Sequence, residues 1–167
     1  ARTEQGFRNL TKLSSSSYLK NKETVEPSCD LSDLISNSED LILLTGNYYN
    51  FFGKLFYANK IKDFEKIIKS LKSHYNERIY FEIQRHGENE EKNFENHLLN
   101  YSKILGIPLI ATQEIFYLNN DMHEAHDALT CIGAKNFIDD KSRFKFSNQH
   151  YFKKKEEILK LYSDLPE

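Results

Sequence analysis

Arg78-Ile79-Tyr80-Phe81-Glu82-Ile83 alternates apolar and polar side chains and gives way to the polar turn Gln84-Arg85-His86-Gly87. An alternating run closed by a glycine turn reads as a β-strand. On either side of it, residues 61–75 set Phe64, Ile67, Ile68 and Leu71 on one helical face, and residues 90–105 do the same with Phe94, Leu98, Leu99 and Tyr101 before stopping at Gly106. Farther out, Leu41-Ile42-Leu43-Leu44-Thr45, closed by Gly46, and residues 108–112 are short continuous apolar runs, the pattern of strands buried on both faces. Helical spacing also predicts helices over 3–20 (Phe7, Leu10, Leu13, Leu19), 48–58 and 121–135, with short ones at 32–35 and 156–162. Asp121 and Glu124 are spaced as a capping box for the 121–135 helix. Strands alternating with helices predict an α/β fold of βαβ units with mostly parallel strands. In such folds chemistry gathers in the loops leaving the C-terminal strand ends, here 46–48, 84–87 and 113–116.

The 167 residues suit one domain or a piece of one, and 13% aromatic content with only 6 Gly and 3 Pro excludes a disordered or low-complexity chain. No apolar run approaches the ~20 residues of a membrane helix, and the opening residues lack a basic-then-apolar pattern, so no secretory signal is expected. Cys29 and Cys131 are far apart, so neither a disulfide framework nor a CxxC knuckle is present, which predicts a reduced, cytoplasmic setting. A net charge of −2 is not that of a generally basic nucleic-acid binder. The chain opens Ala1-Arg2-Thr3 and closes Asp164-Leu165-Pro166-Glu167, which reads as an excised fragment of something longer.

Gly46 stands outside any GxGxxG or GxxxxGK[ST] pattern and reads as a turn glycine. His86, just past a strand, is a candidate for metal binding or proton transfer, set against the alternative of a loop histidine capping the sheet. His123 and His126 share a helix face at i, i+3, which is not the i, i+4 of HExxH. His74, His97 and His150 are isolated among polar neighbours and read as surface residues. Lys141, Arg143, Lys145, Lys153, Lys154 and Lys155 form a stretch without acids, interleaved with Phe144, Phe146, Tyr151 and Phe152. Basic and aromatic residues together suggest nucleic-acid contact, against a solvated loop with buried aromatics. No Ser/His/Asp or Cys/His set can be assembled from spacing.

Six segments then occur in register: Gly6-Phe7-Arg8-Asn9-Leu10, Leu41 to Gly46, Tyr80 to Gly87, Pro108-Leu109-Ile110-Ala111-Thr112, Ala125-His126-Asp127-Ala128-Leu129 and Asp164-Leu165-Pro166-Glu167. Together they resemble the C-terminal portion of the PHP (polymerase and histidinol phosphatase) domain of the bacterial DNA polymerase III alpha subunits, over essentially the whole chain. The resemblance implies a partial PHP-type distorted β/α barrel. Residues 1–140 would be the C-terminal part of the PHP domain, and 141–167 a connector toward a polymerase domain. It implies a parent DNA-directed DNA polymerase, a nucleotidyltransferase of replication using Mg²⁺. The implied partners are the rest of the alpha subunit, a proofreading exonuclease subunit, other replicase subunits and DNA, with no membrane.

In the resemblance, PHP metal ligands fall at three positions of this half. One follows the Thr-Gly of the first strand, often Cys or His, where this chain has Asn47. Two more belong to an Ala-Thr-Asn-Asp-x-His pattern that reads here Ala111-Thr112-Gln113-Glu114-Ile115-Phe116. Glu114 keeps a carboxylate, but Phe116 puts a ring that cannot bind a cation where a ligand nitrogen stood, and an amide carbonyl is a weak ligand. The expectation is a degenerate site, with Asn47, Glu114 and Phe116 as vestigial ligand positions, His86 as a further candidate, and no bound metal or cofactor in the fragment. The fragment would then be structural and inactive alone. The competing expectation is a metal-dependent phosphoesterase or 3′–5′ exonuclease.

Overall fold

The computed structural model describes residues 1–20 and 27–165. In chain order they form α1 (Glu4–Leu19), α2 (Leu31–Ser36), β1 (Leu43–Leu44), α3 (Phe51–Tyr57), α4 (Ile61–Tyr75), β2 (Ile79–Ile83), α5 (Glu91–Leu105), β3 (Leu109–Ala111), α6 (His123–Ala134) and α7 (Lys155–Leu161). The strands make one sheet in the order β1-β2-β3. β1 pairs with β2 in parallel, Leu43 opposite Ile79. The bonds from Phe81 N to the Pro108 carbonyl and from Thr112 N to the Ile83 carbonyl give β2 and β3 the same sense. The expected parallel α/β arrangement is present. The chain divides into two compact units, 1–82 with 96–110, and 83–95 with 111–167.

The first unit is built on α4. Phe64, Ile68, Leu71 and Tyr75 recur at helical spacing and are at most 2% exposed. Phe64 is the hub. It meets Phe52 of α3 edge-on at 5.3 Å, Tyr101 of α5 at 5.3 Å and Phe81 of β2 at 6.4 Å. Burying such side chains stabilises by roughly 1.5–3 kcal/mol each. Polar ties fix the periphery. Arg78 donates to the Ser38 and Leu41 carbonyls at 2.6 and 2.7 Å, and the Tyr75 hydroxyl donates to the Leu34 carbonyl. At the N-terminus Thr3 caps α1, accepting from Gly6 N, while its hydroxyl donates to Asp40. A Cβ on Gly6 would lie 2.3 Å from the Asp40 carbonyl oxygen, so only glycine lets α1 approach this closely.

Several expectations change here. The runs around β1 and β3 are not buried on both faces. Leu41 and Thr45 are buried, but Ile42 and Leu44 are 46% and 39% exposed, and Ile110 is also exposed. Successive strand side chains point to opposite faces, and in the described residues only one face of β1 is covered. On α1, Gly6 and Leu13 are buried while Phe7, Leu10 and Leu19 are not. The capping box at Asp121 and Glu124 does not form. A 3₁₀ turn at Asn120–Met122 precedes α6, no side chain caps that helix, and the turn closes by Met122 N donating to the Asn119 carbonyl.

In the second unit, the segment after β3 pairs with the segment before α7. Phe116 N donates to the His150 carbonyl and Phe152 N to the Tyr117 carbonyl. The Tyr162 hydroxyl of the final turn reaches the Ile83 and Thr112 carbonyls at the ends of β2 and β3.

Candidate functional site

The turn after β2 wraps a carboxylate. Glu91, at the start of α5, accepts hydrogen bonds from the backbone N–H groups of His86 (2.8 Å), Gly87 (2.9 Å) and Glu88 (3.2 Å). Gly87, at φ +80, supplies the left-handed residue that curls this turn. The His86 Nδ1 also lies 3.2 Å from the same carboxylate. Its Nε2 accepts from Glu114 N at 3.2 Å. That bond assigns the proton to Nδ1, so both ring nitrogens of His86 are engaged. His86 thereby ties the β2 exit to the β3 exit.

Stacked on His86 at 4.0 Å, with 3° between planes, is His150. Both rings are 2% exposed. The structure corrects the surface reading of His150: its polar sequence neighbours do not reveal that it pairs with the β3 exit. Its Nδ1 lies 3.2 Å from the Glu114 carbonyl, and its Nε2 has no hydrogen-bond partner among the described residues. Burial, reinforced by the neighbouring His86, depresses its pKa to about 4. Phe116 follows in the column, 5.0 Å from His150 on one side and 5.1 Å from His126 on the other, both stacked. Phe146 closes the cluster at 4.7 Å from Phe116.

Of the positions that the resemblance marks, Phe116 stacks on the imidazoles of His126 and His150 while staying 39% exposed. Glu114 contributes chiefly its backbone: the N–H goes to His86 and the carbonyl faces His150, while its carboxylate lies 4.0 Å from His150 Nδ1. Asn47 belongs to the first unit, where it is 4% exposed and its side-chain oxygen accepts from Tyr49 N. Beside it, Gly46 at φ +77 donates its N–H to Glu82. His123 sets Nε2 3.0 Å from the Phe146 carbonyl, and His126 is in the stack, so the i, i+3 pair is committed to packing. Among the described residues no three His, Cys, Asp or Glu side chains are grouped so as to hold a metal ion. Of the three positions at which the resemblance puts ligands, one is a carboxylate, one a phenyl ring and one an amide whose oxygen accepts a backbone bond.

The basic stretch divides in two. Arg143 makes a bidentate pair with Asp127, 2.6 Å on each arm, and both side chains are 6% exposed. Lys145 adds a third contact at 3.3 Å, and these cations hold the Asp127 carboxyl down at about 2. Lys153 is buried, donates to the Gln149 carbonyl and lies 4.2 Å over the Tyr151 ring; burial lowers its pKa. Lys141, Lys154 and Lys155 are exposed.

Two further residues carry structural weight that the sequence does not reveal. Glu91 looks like one more helix carboxylate. Arg85 forks onto Glu95 (2.6 and 2.8 Å) and onto Asp164 (2.6 and 3.0 Å), donates to the Leu161 carbonyl and covers the Tyr162 ring. Those carboxylates raise its pKa further, so this guanidinium is permanently charged.

The family model for the PHP domain matches residues 1–86. The DNA polymerase III subunit alpha of Caulobacter vibrioides is 35% identical over 167 residues, which is 100% of this chain and 15% of that protein. The protein of the same name from Rickettsia bellii is 35% identical over 166 residues, 99% of this chain and 14% of that protein. That from Borreliella burgdorferi is 35% identical over 168 residues, 100% and 15%. The chain therefore spans about one-seventh of the length of these curated relatives. No helix of the described residues is long and apolar enough to cross a membrane.

Proposed function

We propose that this chain, which belongs to the PHP domain family, works as a segment of the alpha subunit of a bacterial DNA polymerase III and serves there as a folded scaffold, not as a metal-dependent hydrolase. One observation carries the scaffold role. Phe116, at the position where the family resemblance places an imidazole ligand, stacks on His126 and on His150, and His86 beyond them is spent on Glu91 and the Glu114 backbone. A hydrolytic centre needs several ligand nitrogens converging on one open point; here both His86 nitrogens are engaged, the His150 Nδ1 faces a carbonyl, and Phe116 brings no nitrogen at all.

On this reading residues 1–140 supply the C-terminal part of a PHP domain and 141–167 lead toward a polymerase domain. The parent extends DNA from deoxynucleoside triphosphates in the cytoplasm. Its Mg²⁺ ions are held by carboxylates of the parent's own polymerase domain and supply Lewis-acid stabilisation of the phosphoryl group there. Its partners are the remaining replicase subunits, a proofreading exonuclease among them, and DNA. The alignment over all of this chain with alpha subunits supports the assignment.

The test is twofold. The longer polypeptide containing this chain is assayed for primer extension, which is expected. The 167-residue chain is assayed with Mn²⁺ or Zn²⁺ for hydrolysis of a phosphodiester and of single-stranded DNA 3′ ends, and neither is expected. Metal-dependent hydrolysis abolished by Glu114→Ala would establish the phosphoesterase or exonuclease in its place.

A further inference from the structure

Helix α7 is fastened unequally at its two ends. None of its seven residues is buried, and a helix so short is marginal in water without packing. Its start is built onto a fixed point. Lys153 is buried and donates to the Gln149 carbonyl, Phe152 N donates to the Tyr117 carbonyl, and Glu157 accepts from Lys154 N at 2.8 Å and from the Tyr151 hydroxyl at 2.6 Å. Its far end rests on Arg85. Nη1 donates to the Leu161 carbonyl and to Asp164, both at 2.6 Å, Nη2 donates to Asp164 at 3.0 Å, and the guanidinium lies 5.0 Å over the Tyr162 ring. The Tyr162 hydroxyl adds two long bonds of 3.4 Å to the Ile83 and Thr112 carbonyls.

The two carboxylates on Arg85 are not equivalent. The Glu95 side chain is 7% exposed and that of Asp164 is 58% exposed. Parting Arg85 from Glu95 would strand a buried carboxylate, which is costly. Parting it from Asp164 returns that carboxylate to water and leaves the guanidinium forked on Glu95, which costs only what an exposed ion pair is worth. The arginine is therefore a fixed catch, and Asp164 is the part that lets go. Behind it lies a cleft of about 660 Å³. Leu161 and Asp164 form one wall, and the 85–88 turn, the first turn of α5 and residues 148 and 149 form the others.

We infer that residues 154–165 are a salt-released strap, which swings as one unit from the Lys153 anchor when the Arg85–Asp164 fork parts and opens the cleft beside the β2 exit while the rest of the fold stays closed. Nothing in this device depends on the polymerase reading. The amides that report it run from Ile158 N, on the Lys154 carbonyl, to Tyr162 N, on the Ile158 carbonyl, and Leu165 N, on the Tyr162 carbonyl.

Hydrogen exchange of these amides, followed by NMR in the 167-residue chain, tests it. In Asp164→Ala the protection of Ile158, Tyr162, Ser163 and Leu165 is expected to fall by one common factor of about two to five. The α4 amides, Phe64 N among them, keep theirs. Raising sodium chloride from about 0.02 M to about 0.5 M should lower the same protection in the natural chain, which needs no variant, and have little effect on Asp164→Ala. Four results overturn the inference. Loss confined to Ser163 and Leu165 would mean that the end frays and no strap swings. Equal loss in α4 would make the pair a prop of the whole fold. No loss in either arm would show that the fork holds nothing closed, and loss in the variant without loss in salt would show that the closure is not ionic.

Discussion

The imidazoles of His86 and His150 lie face to face, 4.0 Å apart and within 3° of parallel, and both are buried. Burial, with His86 beside it, lowers the pKa of His150, so His150 enters the stack as the neutral imidazole. His86 is oriented by Glu91 and the Glu114 N–H, and His150 by the Glu114 carbonyl.

Acid should loosen this stack. The folded-state pKa of His150 is depressed to about 4 from 6.5, so unfolding is favoured by protonation. Its contribution is complete above pH 6.5 and declines as pH falls from there toward 4, by about 3 kcal/mol in all. Urea midpoints measured between about pH 7 and pH 4.5 should fall accordingly, and His150→Phe should flatten that part of the profile. An identical slope in the variant would mean that another group titrates.

Shape matters more than nitrogen at position 150. His150→Phe keeps a ring between His86 and Phe116 and removes the buried Nε2, which has no partner among the described residues. It should cost under about 1.5 kcal/mol, while His150→Ala, which opens a void in the column, should cost about 2–4 kcal/mol. Chemical denaturation at neutral pH gives both numbers. Equal losses would show that the hydrogen bond to Glu114, not the packing, holds the column.

Replacing Phe116 by histidine should not create a metal site. The new ring would stand between His126 and His150, with the Glu114 carboxylate as the candidate anionic ligand. One carboxylate beside imidazoles already committed to stacking leaves a zinc ion short of its tetrahedral set. Elemental analysis of Phe116→His after dialysis against zinc is expected to find far less than one ion per chain. Stoichiometric zinc that disappears on adding Glu114→Ala would show that the site is one substitution from working order.

Within the basic stretch, Arg143→Met should lower the thermal midpoint far more than Lys141→Met, because it strands Asp127 in the interior. Asp127→Asn combined with Arg143→Met should recover part of the loss. If the double variant is no better than the single one, the fork is not what positions α6.

DNA binding, if this stretch provides it in the polymerase, falls to Lys141, Lys154 and Lys155. Changing all three to alanine should weaken binding of a primer–template by the longer polypeptide and lower its salt slope by up to about 3, near one for each phosphate no longer neutralised. Lys153→Ala should instead change stability and leave the slope alone, since its ammonium serves the Gln149 carbonyl. An unchanged slope in the triple variant excludes this stretch as a DNA-binding element.

The parallel strand–helix frame is legible in the sequence because β2 and α4 carry clean periods: Ile79, Phe81 and Ile83 along the strand, Phe64, Ile68 and Leu71 along the helix. Apolar runs mark strands but not which faces their neighbours cover, so the exposure of Ile42 and Leu44 is hidden from sequence. At the site, His86 and Glu114 are legible from their places after strands. His150 is not, since its burial depends on residues at 86 and 116 that meet it only in three dimensions. Nor is Glu91, whose worth comes from the backbone N–H groups of a turn. Leu129 and Ile132, exposed on α6, resemble an ordinary core face, because sequence does not reveal that Asp127 has a buried cation to meet.

Arg85 and its carboxylates also set a timetable. The guanidinium joins Glu95 to Asp164, a residue 79 positions later than the arginine in the chain. A ribosome adding about 5–20 residues per second reaches Asp164 roughly 4–16 s after Arg85. Throughout that interval the emerging arginine has Glu95 at most, never its second carboxylate, and the turn around Glu91 can form while the segment that stacks His150 on His86 is still being made. The second unit therefore closes from its far end, when Tyr162 reaches the Ile83 and Thr112 carbonyls under Arg85 and Asp164 takes the other side of the guanidinium.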